Sequence, residues 1–118
     1  MADEPMPVRW NFWTGHISEI IPTLRKALGA YARHNAGFKV GITANPEGRW
    51  RQHRKDGWRE MVVIYRTASP DSVREAERLL IEHGWECHPD AIWNEQRGGG
   101  GGPMKGKADA YFVYVVLA

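Results

Sequence analysis

Apolar positions recur along this chain with two periods, and each period marks its own elements. Ile17, Ile20, Ile21, Leu24, Leu28 and Tyr31 stand three and four apart, which predicts an amphipathic helix from about Ile17 to His34, with Pro22 in or near its first turn. Val73, Ala76, Leu80 and Ile81 do the same in SPDSVREAERLLIEHG and define the buried side of a second long helix. Ser69 or Ser72 opens it, and Glu75 is placed for a capping box with Ser72. Phe38 to Thr43 and Met61 to Arg66 are short, β-branched and bounded by turn residues, so both read as strands. Tyr111 to Leu117, YFVYVVL, is the strongest strand signal present and too apolar for a tail, which places it inside a sheet. Val8 to Trp13 reads as a short strand or an aromatic lid.

Between the first two of these strands, NPEGRWRQHRKDG has the punctuation of a short helix. Asn45 is a good N-cap, Pro46 suits the first helical position, and Gly57 can close the far end in the left-handed conformation. Arg49 and His53 lie four apart and share a face of it. Charged together they repel, a poor arrangement for a core and a reasonable one for holding a phosphate; two solvated helix residues are the plainer alternative. On the second long helix Glu77 falls between Val73 and Ile81, inside the buried arc. An ionised carboxylate there is costly without a cation, a metal or several donors, so Glu77 is the leading candidate for a functional residue. A buried salt bridge, with Arg49 as one partner, is the competing explanation.

Composition narrows the picture. With 118 residues the chain has the size of one domain, read here as a loose tail over 1–7 followed by a single unit over 8–118. Its α/β pattern points to a small, mainly antiparallel central sheet flanked by helices. The net charge of +2 says little, but its distribution says more. Arg49, Arg51, Arg54, Lys55 and Arg59 crowd one stretch with Trp50 and Trp58 interleaved, and Arg97, Lys105 and Lys107 form a second group, a pattern suited to a phosphate backbone. A single cysteine, Cys87, excludes an internal disulfide and a cysteine-rich zinc site, and points to a reducing compartment. The opening MADEPMPVRW has no signal-peptide core and no apolar run has membrane length, so a cytoplasmic protein is expected. Gly98 to Gly102 is not a P-loop, since no GK[ST] follows; it reads as a linker or as a loop whose amides can approach phosphates.

Lys39 to His53, KVGITANPEGRWRQH, resembles the strand and following helix of the GIY-YIG nuclease family, and AERLLIE from Ala76 resembles the helix that carries that family's glutamate. The resemblance implies Gly41 as the motif glycine, Arg49 as the catalytic arginine, His53 as its accessory histidine, Glu77 as the ligand of Mg2+ or Mn2+, and Asn94 as the asparagine that closes the site. Lys39 stands where the family's second motif tyrosine is usual, and no GIY strand precedes it. FVYVV, Phe112 to Val116, resembles that strand instead, so the order is expected to be permuted, with Tyr114 brought beside Gly41. The implied activity is metal-dependent endonucleolytic hydrolysis of DNA, leaving 5′ phosphate and 3′ hydroxyl ends. In that scheme Arg49, His53, Glu77, Tyr114 and Lys39 react, with Arg49 and Lys39 lowering the pKa of the Tyr114 phenol, while Arg51, Arg54, Lys55, Asn94, Arg97 and Lys105 bind DNA. A non-catalytic DNA-binding module, or a protein-interaction domain anchored by some of the six tryptophans, are the rivals.

Overall fold

A computed structural model describes residues 8–94 and 108–118. In chain order the elements are β1 (Arg9–Trp13), α1 (Ile17–His34), β2 (Phe38–Thr43), α2 (Pro46–Lys55), β3 (Glu60–Thr67), α3 (Pro70–Cys87) and β4 (Tyr111–Leu117). The expected tail over 1–7 and the glycine run lie outside the described residues, as do Arg97, Lys105 and Lys107.

The four strands form one mixed sheet in the order β1-β3-β4-β2. β4 sits between β3 and β2 and runs antiparallel to both, whereas β1 joins the far edge parallel to β3. The last strand is therefore central, as its near-continuous apolar run requires. A bulge between Val63 and Tyr65 shifts the β3–β4 register by one residue and turns Tyr65 into the main core, where its hydroxyl donates to the Gly15 carbonyl at 2.7 Å.

Helices α1 and α3 cover one face of the sheet. Leu24 and Leu28 from α1, Val73, Ala76, Leu80 and Ile81 from α3, and Phe38, Val40, Val62, Ile64, Val113 and Val115 from the strands close a single apolar core there. The opposite face holds a smaller cluster of Val8, Trp50, Met61, Val63, Tyr114 and Val116, where α2 lies down by its one buried large side chain, Trp50.

Two local expectations change. Ser69, not Ser72, caps α3: its hydroxyl accepts the Ser72 amide at 3.1 Å, and Pro70 takes the first turn, where its missing N–H costs nothing. Glu75 then pairs outward with Arg78 instead of closing a capping box. Pro22 lies beyond the first turn of α1, with His16 as the N-cap. Pro22 and Ser18 are both exposed, so the carbonyl that loses its helical partner there faces water.

A candidate active site over Gly41

The α2 helix forms where the sequence punctuates it. The Asn45 side chain accepts the Gly48 amide at 3.2 Å, and Gly57 ends the helix region with φ of 96°. Seating Trp50 against the sheet leaves Arg49 and His53, its neighbours along the helix, on the side that looks toward β4 and β2.

Beneath them, one register row crosses all four strands: Trp10, Val63, Tyr114 and Gly41. The Tyr114 ring lies across Gly41, and a Cβ at Gly41 would overlap the phenol oxygen. That close approach is what glycine is needed for. The adjacency expected from the missing first strand is thus present, with Tyr114 and Gly41 as direct antiparallel partners.

The Tyr114 hydroxyl lies 2.7 Å from His53 Nε2, the rings tilted and 5.4 Å apart. Burial pushes the phenol up to about 12; Arg49 pulls the other way and Glu77 adds to the rise. This reverses the expectation that Arg49 and Lys39 lower it, because the ring is 5% exposed and desolvation outweighs one cation. His53 is held below its ordinary value, first by burial and then by Lys39 and Arg49. At neutral pH the pair is therefore a protonated phenol beside a neutral imidazole, and in the tautomer with its proton on Nδ1 the phenol donates to Nε2.

Glu77 is buried, 8% exposed, although its helix neighbours Val73, Ala76, Leu80 and Ile81 are all core residues. Burial raises its carboxyl pKa, and Arg74 opposes that rise. Among the described residues it makes no ion pair, so the salt bridge to Arg49 considered from the sequence is not formed. Arg49 is exposed and donates to Gln52 Oε1 at 3.2 Å. Arg74 was not singled out from the sequence, although it stands three residues before Glu77 at a spacing that brings the two together.

Arg49, Arg51, Arg54 and Lys55 border an open depression of about 590 Å3, with Thr43 and Asn45 on its sheet side. Asn94 has another task. Its amide oxygen accepts the Val40 N–H and its amide nitrogen donates to the Val40 carbonyl, both at 2.9 Å, so it completes the outer edge of β2.

No protein-family model, curated protein or solved structure matches the chain.

A divalent cation can be weighed against these residues directly. Among the described residues no three His, Cys, Asp or Glu side chains gather as a ligand set. A buried carboxylate without an ion pair nonetheless fits Mg2+, which commonly takes one or two carboxylates and fills its shell with water and substrate phosphate.

Proposed function

We propose that the chain is a metal-dependent DNA endonuclease of GIY-YIG type, with Tyr114, His53, Arg49 and Glu77 as its reacting centre. The observation that carries this is the 2.7 Å contact between Tyr114 and a neutral His53 over Gly41, with the charges of Arg49 and Glu77 both acting on the phenol. A structural tyrosine needs no neutral base at its hydroxyl and no unpaired carboxylate nearby.

Phosphodiester hydrolysis requires a water attacking in line and charge stabilised on the phosphoryl oxygens. With its pKa near 12, Tyr114 is not a phenolate at neutral pH. It acts instead as a relay: as the water attacks phosphorus, its proton passes to the phenol oxygen while the phenol proton passes to His53 Nε2. Burial, and after it the charges of Lys39 and Arg49, keep His53 neutral and so able to accept. Arg49 neutralises the charge that develops on the phosphoryl oxygens. Mg2+ held at Glu77 would supply Lewis-acid stabilisation of the phosphate and an acidified water for the leaving 3′ oxygen. Arg51, Arg54 and Lys55 bind flanking phosphates around the depression. The exposed, unpaired Cys87 accords with a reducing compartment such as the cytoplasm.

A non-catalytic DNA-binding module is the second reading, favoured by the depression being lined from β2 and α2 without Glu77. Nicking of supercoiled plasmid separates the two. The enzyme is expected to nick only with Mg2+ or Mn2+, and Glu77→Gln to bind DNA normally without nicking. Salt-sensitive binding with no nicking by the unaltered chain would leave the module.

A further inference from the structure

On the same sheet face as Tyr114, the row toward β1 ends in exposed aromatic surface. Trp10 is 47% exposed and meets Phe112 edge to face, ring centroids 5.6 Å apart. Phe112 precedes Tyr114 by two residues on β4 and so shares its face. Its cross-strand partners are Thr43, which borders the basic depression, and Arg66, which is exposed. Trp10 itself stands in the Tyr114 row, two strand spacings or roughly 10 Å away. A strip therefore runs from the depression, over Thr43 and Phe112, to the Trp10 indole, with Arg66 opposite Phe112 in register.

Resting on the endonuclease reading, we infer that this strip is a stacking platform for an unpaired nucleobase, so that the preferred substrate is single-stranded DNA or a junction that exposes a single strand. Aromatic side chains next to a cationic track are what a single strand recognises: every base offers a π-face, and the cations follow its phosphates. A duplex keeps its bases stacked inside and has nothing to lay on Trp10. The side chains divide the work accordingly. Arg49, Arg51, Arg54 and Lys55 face the backbone, Trp10 and Phe112 take the base, and Arg66 pairs with the phosphate beyond it.

The test uses the full chain without divalent ion, so that nothing is cleaved, and compares a short oligo(dT) with a hairpin duplex by fluorescence anisotropy. The unaltered chain is expected to bind the oligo(dT) more tightly and to show quenched tryptophan emission on binding. Trp10→Ala is expected to weaken the oligo(dT) about tenfold or more while leaving the duplex within twofold, and Trp10→Phe to retain most of the affinity. A thermal melt of each variant guards against misfolding. If Trp10→Ala binds the oligo(dT) as well as the unaltered chain does, or loses duplex and single strand equally, the platform is wrong while the endonuclease reading stands. If the unaltered chain binds neither DNA, both fail. If it binds neither and sediments as a dimer that Trp10→Ala dissolves, the strip is a contact between copies of the chain and the inference is overturned.

Discussion

The two faces of the sheet solve different problems. The face under α1 and α3 is filled mainly by buried aliphatic side chains, with β2, β3 and β4 each contributing to it. The other face rests on one ten-residue helix held by Trp50, and its row across the sheet contains a tyrosine, a glycine and, above them, a histidine. One face is mainly apolar; the other brings titratable groups into contact. Glu77 belongs by position to the first and by electrostatics to the second, since its helix packs in the aliphatic core while its charge acts on Tyr114. The lesson is that stability and chemistry are divided between the faces, and that Glu77 is where the division is breached.

Removing β4 removes the shared centre of both faces. A chain truncated after Ala110 is expected to lose cooperative unfolding altogether, since β4 pairs with β2 and β3 along its length; a cooperative melt that survives the truncation would break the comparison at its root.

Single substitutions then distinguish the faces. Leu80→Ala, in the aliphatic core, is expected to cost about 2–5 kcal/mol of stability and to leave the cleavage rate of the folded fraction near normal. Tyr114→Phe should cost only about 0.5–1.5 kcal/mol, the net worth of its hydrogen bond to His53. Its cleavage rate, however, should fall roughly 10²–10⁴-fold with the loss of proton transfer. Chemical denaturation alongside single-turnover cleavage reads both quantities, and matched losses in the two variants would mean the faces are not functionally distinct.

Glu77 sharpens the boundary. Its pKa is raised in the folded state, so the folded chain holds that proton more tightly than the unfolded chain does. Stability tied to this group is therefore complete below the unfolded carboxylate range and is lost as pH rises through the folded pKa. Glu77→Gln is expected to stabilise the metal-free chain by about 1 kcal/mol at neutral pH and by nothing at the acidic end. Added Mg2+ should raise the melting temperature of the unaltered chain and not that of Glu77→Gln. Equal Mg2+ responses would remove Glu77 as the ligand.

Much of this was legible in the sequence where the signal is local. Asn45, Pro46 and Gly57 mark α2 because capping depends on residues within one turn. The inward placement of Glu77 follows from helical periodicity alone, and the central position of β4 from its apolar run. Even the meeting of Tyr114 with Gly41 could be reached, from the resemblance of Phe112 to Val116 to a motif strand that does not precede Lys39. What the sequence hid depends on the assembled molecule. β1 joins the edge as a parallel strand beside β3, a pairing that its own residues do not announce. That the Asn94 amide completes the outer edge of β2 is visible only once the strand is folded against it. The sign of the Tyr114 shift is set by the depth of burial, which no spacing between charges conveys.

The most direct measurement is single-turnover cleavage at saturating DNA by Arg49→Ala and Arg51→Ala, two exposed arginines on one short helix that border the same depression. Arg51→Ala should bind more weakly, with its salt dependence flattened by about one counterion, and should cleave at the normal rate once saturated. Arg49→Ala should remain about 10²–10³-fold slow at saturation, as expected for a preorganised group that stabilises the transition state. Normal cleavage by saturated Arg49→Ala would contradict an active site over Gly41.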